Sequence, residues 1–477
     1  MTSPRVVVLG GGACGMTAGY TLARAGVEVV VLERELRVGG RCGTHERRGF
    51  RFDLGGHRFI SRSRALDSLV RELVGSDLLE RTRSSVVLNG GQAYRYPLEL
   101  DDVLRKVSLR RGAKIVGSYA CERVRQAVRR DPDVSFEDWV THRFGRELYA
   151  TFFGPYTQKL WGIAPSQISA DWASQRISLL SLSDVLVRLA GLRKGGARTY
   201  ARRYLYPRLG IGEIFERMAA AMIGAGGKLY LGARLTGIDT QKGRVRAVRY
   251  RTSSGEHELA CDAVISTVAL PEVARMVGGA AMPVALRRAS ERLRFRAIRL
   301  CNVLLDLPEV SPHTWMYVSD PRYLMARIQE PRHRSPELAP RGQTSLMLEI
   351  PCDVGDELWT ASEEQIYARC MDDLAALGYA HLRRATLDYF STYVHEGYPI
   401  YHLDYLGDRD RLLSFVGETA NLVSCGRQGA FRYIFMDTAM EMGMAAAQLY
   451  LDRRGSGRAI ADLRSEAGLV EARALTA

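Results

Sequence analysis

Three glycines at the spacing Gly10-x-Gly12-x-x-Gly15 are the first residues of this 477-residue chain whose pattern specifies chemistry. Gly10 permits a tight turn, Gly12 lets backbone approach a pyrophosphate, and Gly15 lets a helix pack closely on the strand before it. A helix opening at Ala13 and Cys14 offers N–H groups and the positive end of its dipole to an anion. Glu33 ends the next apolar run, where a ribose hydroxyl needs an acceptor, and Arg34 follows it. The predicted chemistry is dinucleotide binding.

Those residues need a strand, a turn and a helix in that order. Arg5-Val-Val-Val-Leu9 is the first strand, 16–25 carries a helical pattern, and 27–32 is the second, parallel strand. After that unit the sequence leaves the nucleotide fold. A helix is predicted over 65–74, strands over 86–96 around an Asn89-Gly-Gly turn, and helices over 100–130 and 135–150. A helix over 214–223, strands over 228–231 and 234–240, a hairpin over 245–250 and 256–259, and a buried strand over 263–267 follow. Residues 303–306, 325–328 and 345–349 alternate like strands of a second sheet. Near the end an apolar strand from Leu422 meets Gly426 and Gly429, then an Asp-capped helix over 438–450. No internal repeat is visible, and residues after about Arg453 lose apolar pattern.

A chain that is 46% hydrophobic and of this length predicts two domains with full-sized cores. No apolar run approaches the roughly 18 residues that span a bilayer, so the expectation is a soluble, cytoplasmic protein. The eight cysteines contain no C-x-x-C pair, which fits reduced thiols and predicts no metal site. Cys42 and Cys425 neighbour glycine-rich motifs, but small buried hydrophobes are the plainer reading of both. The net charge is +14, with arginine clusters over 123–130 and 193–208. Solvated helix faces account for such clusters, and the field they create favours anionic partners. Nucleic acid is a poor fit, because no reading motif or aromatic stripe accompanies the charge. A phosphate-bearing substrate or a peripheral lipid contact fits better; oligomeric state is left open.

Beyond Glu33 stand Val38-Gly-Gly-Arg41 and Asp53-Leu-Gly-Gly-His57-Arg58-Phe59. These runs resemble the FAD signature of the amine oxidase and protoporphyrinogen oxidase superfamily, which also takes in UDP-galactopyranose mutase. The resemblance implies an α/β fold: a discontinuous Rossmann-like FAD domain of glutathione-reductase-2 type, and an α+β substrate domain with a mixed or antiparallel sheet. It places Gly40 and Arg41 along the FAD pyrophosphate and ribityl, and Gly55, Gly56 and His57 against the isoalloxazine. His57 is then either catalytic or a packed loop histidine. The stretch from Gly426 and Arg427 to Met436 and Asp437 resembles the family's C-terminal flavin motif, its helix facing flavin N1 and O2. Leu235 is a further cofactor contact on this resemblance. The expected boundaries are 1–85, 205–285 and 400–455 for FAD, 86–204 and 286–399 for substrate, and 456–477 as a flexible tail.

Three internal stretches resemble the mutase more closely. They are Tyr156-Thr-Gln-Lys-Leu-Trp161-Gly162, Ala326-Arg327-Ile-Gln-Glu330-Pro-Arg-His333, and Gly426-Arg427 through Tyr433. They imply Arg327, Arg427 and Tyr433 as catalytic, and Trp161, Arg176, Tyr317 and Tyr401 as substrate contacts. Arg327 pairing merely with Glu330 is the structural alternative. Two positions depart from the mutase pattern: Leu180 replaces its second diphosphate arginine and Phe435 its sugar-side acid. The leading expectation is an FAD-dependent oxidoreductase taking hydride from a substrate C–H or N–H, the substrate sugar-like or otherwise polar or anionic. A redox-neutral, mutase-like sugar ring isomerase using reduced FAD is the first alternative. A non-catalytic flavin protein that docks on a membrane or partner through the basic helix is the second.

Overall fold

The valines of Arg5–Leu9 are buried on both faces, as a strand flanked by parallel neighbours and covered by helices requires. The computed structural model describes residues 5–96, 98, 100–176, 203–452 and 457–463. In it the strands run in parallel in the order Leu422–Ser424, Ala263–Ser266, Arg5–Leu9, Glu28–Leu32 and Lys228–Tyr230. Helix Ala13–Arg24 packs on this sheet between helices Glu213–Gly224 and Met436–Asp452. The fit is tight enough that a Cβ on Gly443 would lie 2.2 Å from the carbonyl oxygen of Cys14.

A second sheet has seven strands in the order Thr386–Pro399, Phe295–Leu305, Thr344–Cys352, Arg327–Gln329, Trp315–Val318, Ser85–Asn89 and Gln92–Arg95. It is mixed: Trp315–Val318 runs parallel to Ser85–Asn89, and the other neighbours are antiparallel. A separate antiparallel meander, Arg234–Gln241, Arg244–Thr252 and Gly255–Ala260, flanks the parallel sheet. Helices Leu100–Lys106, Leu109–Arg129, Phe136–Phe144, Gly154–Trp161 and Ala170–Arg176 fill the span between Arg95 and Arg176. The α/β class with a second mixed sheet is as expected.

Three elements differ from expectation for stated reasons. Strand Phe295–Leu305 begins well before residue 303, because Arg296 and Arg299 interrupt the apolar run yet are buried. Arg299 is satisfied there by Ser391 and by the carbonyls of Leu358 and Ala361. The long strand Thr386–Pro399 was not foreseen; its polar residues Asp388, His395 and Glu396 hide a period-two pattern. At the end of the chain, residues expected to fray form the short helix Gly457–Ala461, with Ile460 and Ala461 buried and Asp462 paired to Arg409. Ordered packing therefore reaches past residue 456. The arginine cluster over 193–208 lies mostly outside the described residues, as does Leu180.

Candidate active site

The glycine triplet makes its turn with Gly10 at φ +99°, and a Cβ on Gly15 would sit 1.8 Å from the Gly10 carbonyl oxygen. Only glycine fits at residue 15. Helix Ala13–Arg24 starts without a side-chain cap and without an acid in its first turn, so its positive end is left to an anion. A second glycine pair closes on the first: the Gly39 N–H donates to the Gly11 carbonyl at 2.8 Å, and a Cβ on Gly40 would lie 3.0 Å from Gly12 Cα. Buried Glu33 accepts from the N–H groups of Gly11 at 2.6 Å and Glu35 at 2.9 Å. Burial pushes its carboxyl up while those two N–H groups pull it down. This backbone-lined cradle fits a pyrophosphate and its ribose.

Other predicted cofactor residues sit around the cradle. Cys14 Sγ lies 3.6 Å from Cys425 Sγ, and a Cβ on Gly426 would touch Cys14 Cβ at 3.1 Å. Contact with Cys425 and then burial push the Cys14 thiol up, which keeps it a protonated packing group. Met436 and Asp437 are buried in the first turn of helix Met436–Asp452. Leu235 is half-buried on strand Arg234–Gln241. Arg34 pairs with Glu396 at 2.9 Å.

A loop of Gly55, Gly56 and His57 lies where the cradle meets the second sheet. Gly55 has φ +134°, which favours glycine, and a Cβ on Gly56 would lie 2.7 Å from Arg327 Nη1, so that guanidinium would have to shift. His57 is held well below the usual histidine range, first by burial and then by the fields of Arg41, Arg427, Arg334 and Arg327. It is a neutral imidazole in a cationic surround. Arg41 donates to the carbonyls of Glu396, at 2.7 Å, and Gly397. Burial, with Arg427 adding to it, brings Arg41 down to about 9. Arg427 donates from Nε to the Ile434 carbonyl at 3.1 Å and lies 4.3 Å from the Tyr433 ring centre.

Sheet register builds the substrate side. Tyr317 opposes Arg327 on the neighbouring strand, and Arg327 opposes Glu349 on the next, so three side chains from distant segments share one row. Arg327 Nη1 is 3.4 Å from Glu349 Oε1 and its guanidinium 5.3 Å from the Tyr317 ring centre. Burial works against the Arg327 charge, but Glu349 and the phenols of Tyr398, Tyr317 and Tyr156 hold it well above the ordinary arginine value. Arg327 therefore pairs with Glu349 and not with Glu330. The Glu330 carboxylate accepts instead from the N–H groups of Val310 and Ser311, both at 3.0 Å, and from the Thr344 hydroxyl at 2.8 Å. Gln329 donates to Glu349 at 2.5 Å and accepts from Arg334, which stands 3.9 Å from Asp53. Lys159 fixes the Tyr156 helix onto this sheet, donating to the carbonyls of Val318, Asp320 and Met325 at 3.2, 3.0 and 2.6 Å. Burial pulls that ammonium down to about 8.

An aromatic wall connects the two halves. Trp161, 1% exposed, lies 4.6 Å from Trp172 and 5.7 Å from Tyr398, and Tyr398 stacks on Tyr433 at 5.3 Å. The Tyr401 hydroxyl accepts from the Tyr433 N–H at 2.8 Å. Predicted residues Trp161, Tyr401, Arg427 and Tyr433 thus form one cluster, and Tyr317 and Arg327 another, with Tyr398 adjoining both. Arg176 ends helix Ala170–Arg176, and its side chain lies outside the described residues. Sequence reasoning missed Trp172, Glu349 and Tyr398. The signal for Glu349 was present: it is the one charged residue in a strand otherwise fit for a core, and such a residue stays buried only with partners.

A parallel sheet with a glycine cradle, opening on an arginine and tyrosine cleft in a second sheet, defines a dinucleotide-dependent enzyme of two domains. Residues 13–451 match the family described as flavin containing amine oxidoreductase, and the chain belongs to that family. Among curated relatives, an Escherichia coli dTDP-fucopyranose mutase is 27% identical over 173 residues, 35% of this chain and 44% of that protein. An L-amino-acid oxidase of Pseudechis australis is 35% identical over 112 residues, 20% of this chain and 22% of the oxidase. The match therefore spans less than half the length of either relative. A solved structure of reduced UDP-galactopyranose mutase superposes with a TM-score of 0.81 over 99% of both chains, at 20% identity, which establishes a shared fold. No helix among the described residues is long and apolar enough to cross a membrane.

Proposed function

We propose that this protein binds FAD and uses it in a redox-neutral rearrangement of an anionic, sugar-like substrate of the nucleotide-sugar class. The observation that carries this reading is the charge of the cleft: His57 is neutral among Arg41, Arg327, Arg334 and Arg427. Such a cleft repels a cationic amine and stabilises a departing oxyanion. FAD supplies an electron-rich ring nitrogen when reduced and a hydride acceptor when oxidised. The glycine cradle holds its pyrophosphate and Glu33 its ribose. Arg327 and Arg427 take up negative charge on the leaving phosphate, Glu349 orients Arg327, and the Trp161, Tyr398 and Tyr433 wall excludes water. The mutase fold likeness and the fucopyranose mutase relative support the same reading.

The second reading is net oxidation, with hydride passing from substrate to oxidised flavin. Phe435 in place of the mutase acid favours it, because a sugar-side proton donor is then missing. One experiment separates them. The protein is incubated anaerobically with UDP-galactopyranose and dTDP-linked hexoses, once as isolated and once after dithionite reduction, and the sugars are resolved by chromatography. Ring isomerisation only after reduction, with no net electron consumption, supports the proposal. Substrate-dependent bleaching of the oxidised flavin without isomerisation selects the oxidoreductase. A purified chain that takes up no FAD sinks both.

A further inference from the structure

Helix Leu109–Arg129 is amphipathic with its apolar side turned outward. Of its 21 residues only Ile115 and Glu122 are buried. With successive residues turning by about 100°, Leu109, Ala113, Gly117, Ala120, Val124 and Val128 fall on the side opposite Ile115, and all six are exposed. Leu109 is 95%, Val124 66% and Val128 79% exposed. A solvated helix presents charge on that side and apolar residues to the core. Here the charges flank the apolar stripe: Arg110 and Lys114 on one edge, Arg123 on the other, and Arg129 and Arg130 at the C-terminal end. Among the described residues the side chains of these five make no hydrogen bond or ion pair, whereas Arg125 is held by Glu122 at 3.4 Å and Asp131 at 3.0 Å.

We propose that this face is a docking surface for an anionic lipid bilayer, on which the helix lies in the plane of the headgroups. Charge complementarity selects the occupant. A second copy of the chain on the same stripe would bring identical unpaired cations together, whereas anionic headgroups neutralise them while Leu109, Val124 and Val128 enter the acyl boundary. Long basic side chains beside an apolar stripe suit this geometry, because their stems lie along it and their heads reach the phosphates. The inference is independent of the reaction proposed above.

The test is co-sedimentation of the full, FAD-loaded chain with phosphatidylglycerol–phosphatidylcholine vesicles and with pure phosphatidylcholine vesicles. Binding is expected only to the anionic vesicles and to weaken with added salt. Val124→Asp with Val128→Asp, and separately Arg110→Glu with Lys114→Glu, are each expected to weaken it by about ten-fold or more. All four sites are exposed, so flavin content and thermal midpoint should not change. Cys121, the one exposed cysteine of eight, lies at the edge of the stripe and takes an environment-sensitive fluorophore, whose emission is expected to shift to the blue on the anionic vesicles. Absence of binding at low salt, or equal binding by the variants, overturns the proposal. So does a wild-type dimer that the aspartate pair converts to monomer, since a second copy would then cover the face.

Discussion

The two halves of the site are made of different materials. The proposed cofactor half is largely backbone: Gly12, Gly15, Gly39 and Gly40 bring main chain to main chain, and the carboxylate of Glu33 accepts from two backbone N–H groups. The proposed substrate half is side chains: Tyr317, Arg327 and Glu349 gathered by sheet register, with Tyr398 from the same sheet and Tyr156 from a helix beside them. Where backbone meets backbone, as at Gly15, an added atom has no rotamer to displace. A side-chain site tolerates replacement without unfolding and shows the damage in chemistry. Variants of the two halves should therefore fail differently.

Gly15→Ala tests the first half most severely. Its Cβ would meet a carbonyl oxygen at 1.8 Å, so a loss of more than about 4 kcal/mol in urea unfolding is expected, with little yellow soluble protein. Normal flavin content in that variant would break the comparison. Arg327→Ala tests the second half: turnover is expected to fall about 100- to 1000-fold while bound flavin, read from its visible absorbance, is unchanged. Loss of flavin instead would move Arg327 to the cofactor side. Glu349→Gln leaves Arg327 in place without its buried counter-charge, so a smaller fall in turnover is expected, with about 1–3 kcal/mol lost in stability. Rescue of turnover by Glu349→Asp would sharpen the assignment of an orienting role.

The smallest effect concerns pH. His57 is depressed in the fold, so the unfolded chain binds a proton that the folded chain refuses. Stability from this residue is full above about 6.5, the unfolded value, and is lost as pH falls below it. His57→Asn should flatten that acid limb of the thermal midpoint while leaving the plateau at pH 7.5 in place; an unchanged limb would mean His57 is not held neutral.

The same contrast governs what was legible. Tight backbone turns demand fixed local spacing, so the glycine runs near Gly10 and Gly55 marked the cradle and the Gly55 to His57 loop directly. Register pairs residues far apart in sequence, and no local spacing announces that Arg327 faces Glu349 on the neighbouring strand. Its nearest acid in sequence, Glu330, is three residues away and occupied with other donors. Strand Thr386–Pro399, which carries Tyr398, was hidden by its polar face. The outward apolar stripe on Leu109–Arg129 was masked by the arginines that flank it.

The parallel sheet has a consequence for how the protein is made. Its strands Arg5–Leu9, Ala263–Ser266 and Leu422–Ser424 are neighbours in space, and helix Met436–Asp452 seals the first of its helices. A ribosome releases the glycine fingerprint early, yet Ala263–Ser266 and Leu422–Ser424, which extend its sheet on one side, follow only much later. Such long-range closure is slow: Arg5–Leu9 can pair early with Glu28–Leu32, but its other edge waits for Ala263–Ser266. Capture of a dinucleotide is therefore expected late in synthesis, and the open strand edge is exposed to non-native pairing until then.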